Sequence, residues 1–221
     1  MSRKIKPGQK STKLIHVDLS HSITDGDRPY RGDPPTVIEQ WSTLKRDHFR
    51  LKHMSFGSHS STHMDSPSHL LAEGRTLDRY DPRSFFVEAF VLDVKNLPGI
   101  GLNQVQTIPS GVQAVLFSTG WAERWNSERY FEDPPLLTEE AATLLLERDI
   151  RLFGFDSSSC DALASETLPI HHMIFSYGCL ILENLNNLDR VVGRTVSLVA
   201  LPLRIHDSDG APTRVIASYW D

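Results

Sequence analysis

The sequence predicts a mixed, partly barrel-like α+β domain. Predicted strands outnumber predicted helices, and the two do not strictly alternate as they would in a doubly wound α/β sheet. The 221 residues are 39% hydrophobic and 23% charged, which is enough to bury a sizeable core in one domain. We therefore expect a single domain over residues 14–221. Residues 1–13, rich in Lys and Arg, are expected to be a flexible tail.

The first half of the chain contains three predicted strands and one long loop. Leu14–Leu19 alternates well enough for a half-buried strand. Ser22–Pro35 is rich in Asp, Gly and Pro, and loops of this length are typically functional or disordered. Because Tyr30 is its only aromatic residue, we expect this loop to cover a pocket. Val37–Trp41 and Arg50–Phe56 are the other two predicted strands.

The second half contains two predicted helices among strands. Thr138 is a good N-cap, and the two Glu residues behind it favour the positive end of a helix. A second helix is predicted over Leu168–Tyr177, ending at Gly178. The predicted strands are Val87–Val94, Ala114–Thr119, Arg151–Asp156, Cys179–Glu183, Thr195–Ile205 and Thr213–Trp220, the last two joined by a turn at 207–210.

The stretch His-Ser-Ser-Thr-His-Met-Asp-Ser-Pro-Ser-His, from His59 to His69, contains three imidazoles and a carboxylate within eleven residues. Such side chains bind first-row divalent metals. A second group of potential metal ligands lies about a hundred residues further on, where His171-His172 is followed by an apolar run ending in Glu183. A charge at the end of a buried strand is costly unless it is paired or metal-bound. We predict that the two segments fold together around one or two metal ions.

No regular backbone conformation brings His59, His63 and Asp65 onto one metal. On a helix, His59 and His63 share a face, but Asp65 points about 200° away from His63. In a strand all three share a face, yet the segment spans about 20 Å at roughly 3.3 Å per residue. Ligands lie about 2 Å from a metal. The segment is therefore expected to curl, as its Ser, Thr and Pro content favours.

Two other interpretations of this stretch are weaker. A single His or Asp in a polar loop is usually solvated, but three His and one Asp this close together favour a metal site. A closed structural zinc site would use Cys thiolates, and the stretch has none, so an open catalytic site is favoured. A serine hydrolase is disfavoured because the serines lack a Gly-x-Ser-x-Gly elbow.

The pattern H-x-x-T-H-x-D-x-P-x-H, followed downstream by His171-His172 and Glu183, resembles the cyclase family, whose best-known enzyme members are bacterial kynurenine formamidases. Residues 18–20 and 30–33 resemble the family's N-terminal region, and residues 154–156 and 200–203 its later strands. The resemblance covers most of the chain from about residue 14. It implies a central curved sheet with flanking helices, and dimers or larger assemblies.

The resemblance also implies two metal ions and a reaction. The implied ligands are His59, His63 and Asp65 for the first ion and Asp65, His171 and Glu183 for the second, with Asp65 and Glu183 bridging. His69 would be the catalytic acid/base. Zinc is the first choice because imidazole and carboxylate both suit it, and manganese is the alternative. The expected reaction is hydrolysis of an amide by activated water, with N-formylkynurenine giving kynurenine and formate.

Tyr30 and His172 are the candidate substrate-binding residues. Tyr30 stands where the family's substrate-holding Trp is expected, which bears on substrate identity more than on chemistry. His172 cannot easily share a coordination sphere with His171, because adjacent helical residues point about 100° apart. It either orients a ligand, binds a substrate carboxylate, or is an ordinary hydrogen-bonded histidine.

Two rival functions use the same residues. One is a ring-opening amidase or cyclase acting on a cyclic amide or lactone. The other is a non-catalytic protein that holds metal.

Composition argues against a nucleic-acid-binding, membrane-spanning or secreted protein. A net charge of −5 without a basic patch disfavours nucleic acid as a partner. No apolar run approaches the ~20 residues needed to span a bilayer, and no signal-peptide pattern is present. Two cysteines, Cys160 and Cys179, without a CxxC motif favour reduced thiols. We expect a cytoplasmic homodimer or homotetramer with a small-molecule substrate.

Overall fold

The computed structural model describes residues 13–221. The predicted flexible tail, apart from Lys13, lies outside the described residues. The ten strands are β1 (Leu14–Asp18), β2 (Val37–Ser42), β3 (Leu51–Ser55), β4 (His63–Asp65), β5 (Phe86–Asp93), β6 (Ala114–Ser118), β7 (Leu152–Phe155), β8 (Leu180–Glu183), β9 (Thr195–Pro202) and β10 (Gly210–Trp220). The four α-helices of this part of the chain are α1 (Leu44–Asp47), α2 (Leu102–Val105), α3 (Glu139–Glu147) and α4 (Pro169–Ser176).

Seven strands form a closed, mixed sheet. Their order is β10-β4-β8-β7-β6-β5-β9, and β9 pairs back onto β10 to close it, while β1 extends it at the far end of β10. The pairings β5–β6, β6–β7 and β7–β8 are parallel and the others are antiparallel. The predicted mixed, partly barrel-like sheet with flanking helices is confirmed.

Two hydrophobic cores lie on the two faces of this sheet. One fills the inside of the barrel and includes Leu116, Leu152 and Leu182; the other lies under α3 and α4 and includes Phe117 and Phe153. Every residue of the parallel strands β6, β7 and β8 is buried. Strands covered on both faces need continuous apolar runs, which is why this region lacks polar alternation. Glu183 ends one of these runs and is held at the edge of the core.

The predicted elements recur with small shifts at their ends. Thr138 caps α3, its hydroxyl accepting a hydrogen bond from the Ala141 backbone N–H. The predicted loop over residues 22–35 lies between β1 and β2. Strands β2 and β3 pair only with each other and form a separate two-stranded sheet. Within residues 13–221, no helix has the length and apolar character required to cross a bilayer.

Candidate metal centre

The two histidine-bearing segments meet because β4 lies between β8 and β10. His63 is opposite Glu183 in the antiparallel β4–β8 register, and Asp65 is opposite Gly210 of β10. His63 and Asp65 are two residues apart on one strand and therefore share a face. His63 Nε2 lies 3.2 Å from Asp65 Oδ1 and 3.6 Å from Glu183 Oε2.

His59 reaches the same place from the loop before β4. The backbone at Ser61 is in the left-handed region (φ 57°), which turns the chain. His59 Nδ1 then lies 2.6 Å from Asp65 Oδ1. The ring packs against Gly210, where a Cβ would lie 2.7 Å from His59 Cε1. The predicted curl of the stretch is therefore present, with a three-residue strand inside it.

His171 is positioned by Asp161 at the start of α4. Asp161 accepts hydrogen bonds from the backbone N–H groups of Ile170 and His171. Its Oδ2 also accepts from His171 Nδ1, at 2.7 Å. Because Nδ1 carries this hydrogen, His171 Nε2 presents a lone pair toward Glu183 Oε1, 3.2 Å away.

Three imidazole lone pairs converge on buried carboxylates. His63 Nδ1 donates to the Ser61 carbonyl at 2.8 Å, and His59 Nε2 donates to Asp209 Oδ2 at 2.8 Å. When these two rings are neutral, their other nitrogens therefore face Asp65 without a hydrogen. Accordingly, His63 Nε2 and Glu183 Oε1 are buried atoms that make no hydrogen bond within the described chain. Facing lone pairs repel unless a positive charge lies between them.

The electrostatics of the cluster favour a positive charge. Burial alone would lower the pKa of His59, but the carboxylates of Asp65 and Asp209 outweigh it and raise this pKa to about 10. For His63 burial is likewise outweighed, mainly by Asp65, and the pKa is raised. The hydrogen bonds from His59 and His69 hold the pKa of Asp209 well below its usual range. A proton or a cation must therefore neutralise this site.

The donor set fits divalent cations. The ligand atoms of His59, His63 and Asp65 lie within 4.8 Å of one another, as do those of Asp65, His171 and Glu183. Asp65 belongs to both groups. Nitrogen and oxygen ligands of this kind suit zinc and manganese. The predicted ligands are thus brought together in two overlapping groups of three.

His69 lies beside the cluster, at the end of a 3₁₀ turn over Pro67–His69. Its ring centroid is 4.1 Å from that of His59, and its Nδ1 is 3.3 Å from Asp209 Oδ2. His69 also lines the cavity above the cluster. It is therefore next to the ligand groups and open to a bound molecule.

A cavity of about 310 Å³ opens above the cluster. The five predicted ligands, His69 and Tyr30 all line it, and Tyr30 comes from the loop before β2. Phe131 packs edge-on against Tyr30 at 6.1 Å, and Trp125 lines another part of the wall. The cavity therefore has a polar floor and an aromatic wall.

His172 is oriented differently from its neighbour His171. It is exposed on α4 and does not line the cavity, whereas His171 is buried in it. The substrate-binding role of His172 therefore stays a prediction, and its exposed position outside the cavity lining does not add support to it. The helical rotation of about 100° per residue turns the second histidine outward.

Three supporting residues were not found from the sequence. Asp161 and Asp209 accept from imidazoles, and Asn184 donates to the Ser61 carbonyl at 2.7 Å. Asp209 belongs to residues 207–210, whose sequence predicts only a turn. Asp161 follows Cys160, in a polar run ten residues before His171, and that proximity was the available signal.

A closed mixed sheet with a buried His/Asp/Glu cluster under an open cavity defines a metal-dependent hydrolase. The chain belongs to the cyclase family: the model of the family described as "Putative cyclase" matches residues 17–162. A kynurenine formamidase of Bacillus cereus (strain ATCC 14579) is 32% identical over 202 residues, covering 90% of this chain and 95% of the relative.

Solved structures agree with this family. Isatin hydrolase A from Labrenzia aggregata, bound to benzyl benzoate, superposes with a TM-score of 0.81 at 26% identity, covering 93% of both chains. A potential metal-dependent hydrolase with cyclase activity superposes with a TM-score of 0.78 at 25% identity, covering 93% of this chain and 98% of the other. Enzymes named for a formamide and for a cyclic amide are thus both similar to this chain.

Proposed function

We propose that the protein hydrolyses an aryl formamide, with N-formylkynurenine as the favoured substrate and kynurenine and formate as products. The observation that carries this proposal is the convergence of three imidazole lone pairs and two buried carboxylates on the floor of an open, aromatic-walled cavity. The formamidase relatives support the choice of substrate.

The proposed metal site uses the five residues that line the cavity floor. His59, His63 and Asp65 would hold one zinc ion, and Asp65, His171 and Glu183 a second. Manganese is the alternative metal. When bound, such cations polarise a carbonyl and lower the pKa of bound water to about 7. Asp161 and the Ser61 carbonyl fix the tautomers of His171 and His63, so that the correct nitrogens face the ions.

His69 is the proposed acid/base. Its Nδ1 faces Asp209, which leaves Nε2 free for the cavity. From this position His69 can protonate the departing aryl amine when the C–N bond breaks. General acid catalysis of this kind is typically worth about 10² to 10⁴ in rate.

The cavity wall and rim support an aromatic substrate that carries charge. Tyr30 and Phe131 provide an aromatic wall, and Arg28 and Arg31 lie at the rim. Arg31 forms no ion pair among the described residues. N-formylkynurenine has an aryl ring and an amino-acid carboxylate, so it could use both features, whereas a neutral lactam would leave Arg31 unpaired; Arg28 already lies 3.7 Å from Glu128.

Ring-opening hydrolysis of a cyclic amide is the second candidate. The isatin hydrolase similarity favours it, and the same metal ligands and His69 would serve that reaction. A non-catalytic metal-binding protein is disfavoured because the cluster opens into a cavity that can admit a substrate.

We also propose that the protein acts as a homodimer in the cytoplasm. The hairpin of β2 and β3 with α1 exposes several large apolar side chains that a second copy would cover: Trp41, Leu44, Phe49, Leu51 and Met54. Cys160 and Cys179 are free and buried, which suits a reducing compartment.

Metal analysis followed by a substrate screen on the same preparation tests the proposed function. We expect one to two equivalents of zinc or manganese per chain and turnover of N-formylkynurenine. Activity on isatin-like lactams without activity on formamides would transfer the assignment to the second candidate. Metal without turnover of formamides, lactams or lactones would support the non-catalytic protein.

A further inference from the structure

Asp209 contacts both His59, a proposed metal ligand, and His69, the proposed acid/base. Its Oδ2 atom lies 2.8 Å from His59 Nε2 and 3.3 Å from His69 Nδ1. An ionised carboxylate only accepts hydrogen bonds, so both of these ring nitrogens must carry hydrogen. One oxygen thereby determines which nitrogen remains free on each ring.

The backbone holds Asp209 firmly in this position. It precedes Gly210, which pairs with Asp65 at the start of β10. The Asp209 carbonyl accepts from both the backbone N–H and the hydroxyl of Ser66, each at 2.9 Å. Ser66 in turn accepts a hydrogen bond from the His69 backbone N–H at 2.9 Å. The acceptor and the acid/base histidine are therefore held by the same turn.

We propose that Asp209 is a positioning residue that holds His69 with hydrogen on Nδ1 and Nε2 toward the cavity, while directing His59 Nδ1 toward Asp65. This inference rests on the proposed function for the role of His69 in catalysis. Because the two rings share one acceptor and lie 4.1 Å apart, the acid/base is held at a fixed place relative to the metal ligands. A single carboxylate thus aligns the group that transfers the proton with the group that binds the cation.

Replacing Asp209 with Asn tests this role. Asp209→Asn keeps the shape but removes the charge and one acceptor oxygen. We expect kcat of the zinc-saturated variant on N-formylkynurenine to fall about 10- to 100-fold, as for other residues that orient metal-site histidines. KM should remain within about threefold, because Asp209 lies outside the cavity lining. Because unfolded protein would also lower the apparent kcat without changing KM, kcat is expressed per folded, zinc-loaded molecule, with the folded fraction measured by circular dichroism.

Asp207→Asn is the matched control. Asp207 is exposed and lies two residues earlier in the same turn. Its φ of 57° is a conformation that Asn tolerates well. We expect this variant to retain wild-type kcat and KM.

The tautomer of His69 provides a readout independent of turnover. Long-range ¹H–¹⁵N spectra distinguish hydrogen on Nδ1 from hydrogen on Nε2, and the His69→Ala variant identifies the signals. We expect Nδ1–H in the wild-type protein and a mixture of tautomers in Asp209→Asn. Nε2–H in the wild-type protein would overturn the proposal, even if the Asn variant did not fold.

A kcat of zinc-saturated Asp209→Asn within twofold of wild type would also overturn it. Absence of formamide hydrolysis by the wild-type enzyme would instead refute the proposed function. In that case the tautomer measurement would still decide whether Asp209 positions His69.

Discussion

His63 and Glu183 face each other at the same register of the β4–β8 pair, with Nε2 and Oε2 3.6 Å apart. They are separated by 120 residues in the sequence. Because both side chains are buried and His63 Nε2 makes no hydrogen bond within the described chain, this pair marks the point where a cation is needed.

Removing the Glu183 charge should remove metal. Glu183→Gln keeps the size of the side chain but leaves His63 and His171 without a shared carboxylate, so we expect the loss of at least one ion per chain by elemental analysis. Glu140→Gln, on the exposed first turn of α3, is the control and should retain full metal content. Full metal content in Glu183→Gln would refute its proposed bridging role.

Replacing His69 should stop turnover without removing metal. His69→Ala deletes the proposed proton donor, and we expect kcat to fall about 10²- to 10⁴-fold with unchanged metal content. His172→Ala is the control, because His172 is exposed and outside the cavity lining, and it should remain active. Metal loss in His69→Ala would make His69 a ligand instead.

The sequence predicts the local parts of this site better than its long-range parts. The bend between His59 and Asp65 follows from the spacing of the ligands, and the position of Glu183 at the end of a strand follows from the apolar run before it. Asp209 could not be found in this way, because its contact with His69 crosses 140 residues. That contact depends on the pairing of β10 with β4, and no local pattern encodes this pairing.

In the fold, too, single strands can be predicted from the local sequence, whereas the pairing of distant strands cannot. Continuous apolar runs predict β6, β7 and β8 because these strands are covered on both faces. The turn predicted over residues 207–210 indicates the pairing of β9 with β10, whereas no local pattern indicates that β9 also pairs with β5 and so closes the sheet. The different burial of His171 and His172 follows from the helix, since adjacent helical residues point about 100° apart.

The half-buried His21 ring should make stability depend on pH. Burial, partly opposed by Asp27, lowers the pKa of His21 to about 4. The unfolded chain then binds the proton more tightly, so this contribution to stability is lost as the pH falls from about 6.5 toward 4.

Replacement of His21 with Phe isolates this effect. The ring stacks on Trp125 at 4.2 Å, and Phe preserves the stacking. Between pH 8 and pH 5 we expect the free energy of unfolding of the wild-type protein to decrease by about 1 kcal/mol more than that of His21→Phe, after allowance for partial exposure. Urea denaturation of both proteins measures this difference. Equal decreases would show that His21 titrates normally in the folded protein.

The exposed hairpin should form the proposed dimer contact. Trp41 is 63% exposed on β2 and Met54 is 57% exposed on β3. We expect Trp41→Ser with Met54→Ser to convert a dimer of about 50 kDa, twice the chain mass of 24.9 kDa, into a monomer. Light scattering after size exclusion measures the mass. Leu203→Ser, at another exposed apolar position, should leave the dimer intact. A dimer that survives the double substitution would place the interface elsewhere.

Arg31 should distinguish a charged substrate from a neutral one. It lies at the cavity rim next to Tyr30, where it could pair with the carboxylate of N-formylkynurenine. Because exposed ion pairs are weak, we expect Arg31→Gln to raise KM for N-formylkynurenine by about threefold to fivefold. Formanilide has the same scissile bond without the amino-acid group, and its kcat/KM should be unchanged.

Arg129→Gln provides the control for this comparison. Arg129 is exposed, contacts Glu132 at 3.4 Å and does not line the cavity, so its replacement should affect neither substrate. If Arg31→Gln lowered kcat/KM equally for both substrates, Arg31 would stabilise the loop rather than bind the substrate carboxylate. If it weakened neither, the carboxylate would bind elsewhere, and the rim would no longer favour a formamide over a lactam.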